Sequence, residues 1–154
     1  MISKAVILSF VLGGAIVAST MLLVSKQFPK TEDFSCAKTE CNITVLVSDD
    51  LQVSVDKPRL KLDKTKQPVK IHWKIDPDLK KEWRFSDEKT GIVFKNNGAN
   101  QLTGNAIEDS GTNKKFKWDD KNTDQIDYTY KITVTNSDGT ITLSSPDPII
   151  ANGN

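Results

Sequence analysis

Apolar residues occupy every second position in two segments of this chain, and this period of two constrains the fold more than any other feature. The segments are residues 69–75 and 126–135. Successive side chains of a β-strand point to opposite faces, so each segment predicts a strand with one buried and one wet face. The side chains predicted to point inward are Val69, Ile71, Trp73 and Ile75 in the first segment and Ile126, Tyr128, Tyr130, Ile132 and Val134 in the second.

The rest of residues 42–154 has the pattern of further short strands separated by Gly, Asn, Asp and Pro clusters, and it contains no amphipathic helical window. The turn-rich residues 136–139 predict an antiparallel hairpin. About seven to nine short strands favour an all-β domain, an antiparallel sandwich of the immunoglobulin-like or cupredoxin-like kind. The proline-containing tail from residue 145 predicts a final edge strand, because proline cannot serve a central ladder.

Residues 5–24 carry no charge, and a helix of that length crosses a hydrocarbon core of roughly 30 Å. Residues 1–26 are therefore predicted to be an N-terminal membrane anchor or signal segment. The run is longer than the usual apolar core of a signal peptide, which favours a retained single-pass anchor, whereas small residues near its end leave cleavage open. A retained anchor would place the following domain at a cell membrane.

The two cysteines, Cys36 and Cys41, lie in a polar stretch, residues 27–41, that is predicted to be a stalk. Four residues separate them, so a local disulfide is the expected pairing, and such bonds persist in oxidising compartments. A zinc site needs four ligands, which two cysteines and the distant His72 do not supply. Two unpaired thiols in a reducing compartment are the remaining alternative. The disulfide hypothesis puts residues 42–154 on the periplasmic or extracellular side.

The balance of charge bears on the partners of the domain. The chain has 21 Lys and Arg and 20 Asp and Glu, and Lys4 is the only charged residue before position 25, so the remainder is neutral. Nucleic-acid-binding domains show a basic excess, and we expect no nucleic-acid partner. A blue-copper site is not expected either, since it needs two His, one Cys and usually a Met, and the domain has one His and no Met.

Catalytic motifs are also missing from the sequence. It contains neither the Gly-x-Ser-x-Gly turn that carries the nucleophilic serine of many hydrolases nor a glycine-rich phosphate loop that ends in Lys-Ser or Lys-Thr. We therefore assign no catalytic residue, and enzymatic activity stays open.

Side-chain oxygens at alternate positions of one acidic segment resemble the start of a calcium-binding loop. The candidate ligands are Asp120, Asn122 and Asp124. The pattern departs from that loop at its sixth position, Gln125, where glycine is expected, and at its twelfth, Lys131, where a bidentate glutamate is expected. Hydrogen bonding in an ordinary surface turn explains the same residues without an ion. Calcium is thus an alternative to a domain without a cofactor.

Aromatic residues are frequent in the alternating segments and are expected to pack in the core, at least six of them at inward positions. These residues are Trp73, Trp83, Phe85, Phe94, Phe116, Trp118, Tyr128 and Tyr130.

Several short motifs of the sequence, taken together, resemble those of a known protein family. The motifs are Ile71-His-Trp73, Phe85, Gly91-Ile-Val-Phe94, Phe116-Lys-Trp118-Asp-Asp-Lys-Asn122, Tyr128-Thr-Tyr130 and Asp147-Pro-Ile-Ile150. Together they resemble the small bacterial β-sandwich proteins of the DP-EP family over roughly residues 43–152. The resemblance implies a sandwich fold and a bacterial envelope setting, and it transfers no functional residue.

These features predict a membrane-anchored, extracytoplasmic, non-catalytic binding or assembly module. Its partners would be the membrane, through residues 5–24, and a protein or envelope polymer that contacts a sheet edge or the loop at residues 119–124. The alternative is a calcium- or small-ligand-dependent carrier or enzyme that uses the same acidic loop. The oligomeric state is left open.

Overall fold

The computed structural model describes residues 32–79, 82–96, 100–109 and 111–152, and within these ranges the chain forms strands and no helix. The strands are β1 (Asp33–Cys36), β2 (Glu40–Val47), β3 (Val53–Val55), β4 (Arg59–Leu62), β5 (Val69–Ile75), β6 (Trp83–Phe85), β7 (Ile92–Phe94), β8 (Leu102–Ile107), β9 (Lys115–Asp120), β10 (Asp127–Asn136), β11 (Thr142–Ser144) and β12 (Ile149–Ala151). The all-β prediction is confirmed for these residues.

The first sheet is built around β10, the longest strand, in the order β1-β4-β12-β10-β11. β11 and β12 pair with one edge of β10, whereas β6 and β7 pair with the other. The predicted hairpin is confirmed, because β10 and β11 are antiparallel and flank residues 137–141. Both edges of β10 are thus occupied, which agrees with the burial of its inward side chains.

The second sheet has the order β3-β2-β5-β9-β8. β2 and β5 are parallel, and in the first sheet β4 is parallel to both β1 and β12. The described sheets are therefore mixed, and the prediction of an antiparallel arrangement is wrong in this respect. Parallel neighbours need a crossover connection, and the chain between β2 and β5 makes one by passing through β4 of the first sheet.

Aromatic side chains of the two sheets meet in one core. Trp73 of β5 contacts Tyr130 of β10 with ring centroids 5.3 Å apart, and Phe85 of β6 lies 5.5 Å from Phe116 of β9. Edge-to-face pairs of this kind add to the free energy gained by burying the rings. The predicted core aromatics are confirmed, since all of them except the half-buried Trp118 are buried.

Two details of the sequence prediction are wrong. Ile126 was expected to point inward, but its side chain is 47% exposed because β10 begins one residue later, at Asp127. The tail was expected to form an edge strand, but β12 lies between β4 and β10. Pro146 and Pro148 precede β12, so neither proline interrupts its ladder of hydrogen bonds.

Strand β1 lies within the stretch that the sequence assigns to the stalk. It pairs in parallel with β4, and Arg59 of β4 contacts Asp33 of β1 at 3.1 Å and Asp127 of β10 at 2.7 Å. Residues 33–36 are therefore part of the first sheet. The predicted membrane segment, residues 5–24, lies outside the described residues, and none of the described ranges contains a helix long and apolar enough to span a membrane.

Candidate functional site

The candidate site lies at the end of the two sheets where β1, β4, β9 and β12 terminate. We call this the disulfide end and define it by residues 37–39, 63–68, 121–126 and Asn152. Cys36 and Cys41 form the predicted disulfide there, with their Cα atoms 6.1 Å apart. Because β1 belongs to the first sheet and β2 to the second, the bond links the two sheets covalently.

Alternation along β9 determines where Asp120 lies. Phe116, Trp118 and Asp120 fall on the inward face, so the last residue of this strand carries a carboxylate into the end of the core. Asp120 is 0% exposed. A carboxylate in this position needs hydrogen-bond donors, because burial removes its contact with water.

Asn122 braces the connection between β9 and β10 against the connection between β4 and β5. Its side-chain amide donates to the main-chain oxygens of Asp63, at 2.9 Å, and Lys66, at 3.0 Å. Its own main-chain oxygen accepts a bond from Nε2 of Gln67 at 2.9 Å. The backbone of Asn122 has a φ of 51°, in the left-handed region that asparagine tolerates better than most residues.

Asn152, which follows β12, joins the two carboxylates of the acidic loop. Its Nδ2 lies 3.1 Å from Oδ1 of Asp120 and 3.3 Å from Oδ1 of Asp124. The main-chain N–H of Asn122 donates to Oδ1 of Asp120 at 2.7 Å, and the hydroxyl of Tyr128 donates to Oδ2 of Asp124 at 2.5 Å. The cluster therefore contains residues from the second sheet, the loop and the first sheet.

Burial dominates the electrostatics of this cluster. It raises the pKa of Asp120 to about 6, and the neighbouring Asp124 charge acts in the same direction, while the hydrogen bonds from Asn122 and Asn152 oppose the shift. Burial and the bond to Asp124 also raise the pKa of the Tyr128 hydroxyl. Oδ2 of Asp120 and Oδ1 of Asn152 are buried and have no hydrogen-bond partner among the described residues.

The structure brings together two of the three residues that the sequence nominated as metal ligands. Asp120 and Asp124 meet at Asn152, whereas the amide of Asn122 is turned to the β4–β5 connection. Within the described ranges no three His, Cys, Asp or Glu side chains are grouped so as to hold a metal ion. The calcium alternative with Asp120, Asn122 and Asp124 stays a prediction.

Sequence reasoning missed Asn152 and Tyr128 as members of the cluster. Tyr128 was assigned to the core from its inward position, and it is indeed buried, but its hydroxyl reaches Asp124. Asn152 carries no local signal, because its partners lie 28 and 32 residues earlier in the chain. Only the pairing of β12 with β10 brings it to the end of β9.

An open depression of about 460 Å³ lies next to the disulfide and is lined by Ala37, Lys38, Thr39, Glu40 and Lys66. His72 lies outside this region, on the outer face of β5. Its Nδ1 is 2.8 Å from Oε2 of Glu108. The imidazole is therefore engaged in a side-chain contact on the sheet surface.

A comparison with protein-family models finds no matching family, and a comparison with curated proteins finds no match. The resemblance to the DP-EP family therefore stays a prediction.

Proposed function

We propose that this chain is a membrane-anchored, non-catalytic binding or assembly module whose domain lies on the periplasmic or extracellular side of the cell membrane. The observation that carries the proposal is the bracing of the disulfide end. The side chains of Asn122 and Gln67 tie together two loops that are far apart in the chain, and the disulfide adjoins them. Loops fixed in this way offer a binding surface that loses little conformational entropy when a partner docks.

The direction of β1 supports an outward-facing disulfide end. Strand β1 begins at Asp33, on the side of the predicted anchor, and ends at Cys36. Because an extended strand rises about 3.3 Å per residue, the chain moves away from its entry point as it approaches the disulfide. With residues 5–24 in a membrane, the disulfide end would point away from the bilayer.

The fold also fits this role. We infer that the two sheets form a sandwich of the immunoglobulin-like or cupredoxin-like class, since their aromatic residues share one core. In sandwiches of this kind the loops at one end of the sheets are the usual binding surface.

The charges at the disulfide end fit a polar partner, either a protein or an envelope polymer. Lys38 and Lys66 line the depression together with Glu40, and Lys121 is exposed at the start of the acidic loop. Basic and acidic groups thus lie side by side. Mixed charge of this kind favours orientation and specificity in a contact more than non-specific attraction.

Photo-crosslinking tests the binding surface. A photoreactive amino acid replaces Lys38, Lys66 or Lys121 in the full chain expressed in its membrane, and matched variants carry it at Lys89 or Lys114, near the opposite end. We expect discrete crosslinked species from the first three positions and none from the two controls. Crosslinks to the same species from Lys89 and Lys114 alone would overturn the assignment of the surface.

A reporter fusion tests the location independently of the partner. An enzyme that is active only outside the cytoplasm is fused after Asn154, and a cytoplasm-only reporter is fused at the same point in a second strain. We expect activity from the first fusion alone. Activity from the cytoplasmic reporter alone would refute the proposed orientation.

A further inference from the structure

Two carboxylates meet at the disulfide end, and neither has a positively charged partner among the described residues. Asp120 and Asp124 both lie within hydrogen-bond distance of the Asn152 amide, at 3.1 Å and 3.3 Å. Among the described residues, neither carboxylate forms an ion pair with a Lys, Arg or His side chain. Removing such charges from water is costly unless another group neutralises them.

Two fully buried side chains in this cluster also hold oxygens without a partner. Asp120 and Asn152 are each 0% exposed, and Oδ2 of the first and Oδ1 of the second accept no hydrogen bond from the described residues. A buried oxygen in this state loses its hydration without compensation. Both atoms belong to residues of the cluster that the Asn152 amide joins to Asp124.

The spacing of the polar atoms fits the coordination shell of a large divalent cation. A half-turn of the Asn152 amide exchanges Nδ2 and Oδ1, which have nearly the same shape. That turn would put an amide oxygen 3.1 Å and 3.3 Å from the two Oδ1 atoms. Neighbouring oxygens around Ca²⁺, at the usual metal distance, are separated by about 2.8 to 3.4 Å, a range that includes both distances. The smaller octahedral shell of Mg²⁺ separates neighbouring oxygens by about 2.9 Å, which is shorter than both.

We propose that Asp120, Asp124 and Asn152 bind a calcium-like divalent cation, with Asn122 as a structural brace and not a ligand. The ligand set differs from the alternating pattern of the loop, because its third member comes from the segment after β12. Binding would join the end of β9 in the second sheet to the end of β12 in the first. The inference does not depend on the proposed binding partner.

Thermal unfolding of the full chain in detergent, after removal of metal with a chelator, tests the proposal. Extracellular calcium modules have Kd values of about 0.1 to 1 mM, so 10 mM calcium chloride is expected to raise Tm by about 3 °C or more. The same concentration of magnesium chloride should raise Tm by less. An unchanged Tm with calcium chloride would overturn the proposal.

Calorimetric titration with calcium chloride on folded variants identifies the ligands. We expect Asp120→Asn and Asn152→Ala each to weaken calcium binding at least about tenfold, because each removes an oxygen or a charge from the shell. Asp119→Asn is the matched control, since Asp119 precedes Asp120 but lies on the outward face of β9. Equal affinity of Asp120→Asn and the original chain, or loss of binding in Asp119→Asn alone, would overturn the assignment.

Discussion

At the scale of single residues, Asn122 connects two loops that lie more than fifty positions apart in the chain. Its amide donates to two main-chain oxygens of the β4–β5 connection, and its main-chain oxygen accepts a bond from Gln67, 55 residues away. Buried main-chain oxygens that lose a donor are costly. The stability of both loops therefore depends on this one side chain.

We expect Asn122→Ala to lower the free energy of unfolding by about 2 to 3 kcal/mol, because two hydrogen bonds are lost and alanine is strained at a φ of 51°. Urea unfolding followed by tryptophan fluorescence measures the change. Asn113→Ala is the matched control: Asn113 has a φ of 52° and lies in the connection between β8 and β9, away from these two loops, so it isolates the backbone contribution. Equal losses in the two variants would contradict a bracing role for the side chain.

At the same scale, the buried carboxyl of Asp120 makes the folding stability depend on pH. Burial raises its pKa from 3.8 to about 6, so the folded state holds this proton more tightly than the unfolded state does. The contribution of Asp120 to stability is therefore greatest below about pH 4, falls by about 3 kcal/mol as the pH rises from about 4 through 6, and changes little above that. Asp63, Asp87 and Asp138 act oppositely and at lower pH, because hydrogen bonds from nearby threonines lower their pKa values.

Unfolding at a series of pH values between 4 and 7.5, with a chelator present, measures this effect as the difference between the original chain and Asp120→Asn. The asparagine variant should lose the decline with rising pH that Asp120 causes. A difference that is constant over this range would contradict the raised pKa.

At the scale of strands, the disulfide joins β1 to β2, which belong to different sheets. A bond that closes so short a loop stabilises by about 2 kcal/mol in the chain-entropy model. We expect Cys36→Ser with Cys41→Ser to lower the free energy of unfolding by about that amount. Unfolding of the original chain with and without a reductant provides the comparison, and an unchanged midpoint in both experiments would show that β1 is held by its pairing with β4 alone.

The local sequence pattern predicted where individual strands lie better than it predicted which strands pair with each other. The alternation in residues 69–75 identified β5 with its inward side chains, because burial on one face follows directly from a period of two. The central position of β12 and the cluster at Asn152 depend on contacts between distant segments, and no spacing in the sequence encodes those contacts. Ile126 was misassigned because the pattern continues past the point at which the chain enters the loop.

At the scale of the whole molecule, one core serves both sheets, so damage to it should destabilise every strand together. Phe116 is 0% exposed and packs against Phe85 of the other sheet. We expect Phe116→Ala to lower the free energy of unfolding by about 3 to 5 kcal/mol. Val93→Ala, at a position 41% exposed, should change it by less than about 1 kcal/mol. Hydrogen exchange that accelerates in one sheet only would contradict a shared core.

The central claim, that the domain works outside the cytoplasm with its disulfide formed, is tested most directly by the redox state of Cys36 and Cys41 in intact cells. Cells are quenched with acid, free thiols are alkylated, and the mass of the full chain is measured before and after reduction. The account predicts no alkylation before reduction and two alkyl groups after it. Two alkyl groups on the unreduced chain would contradict the account.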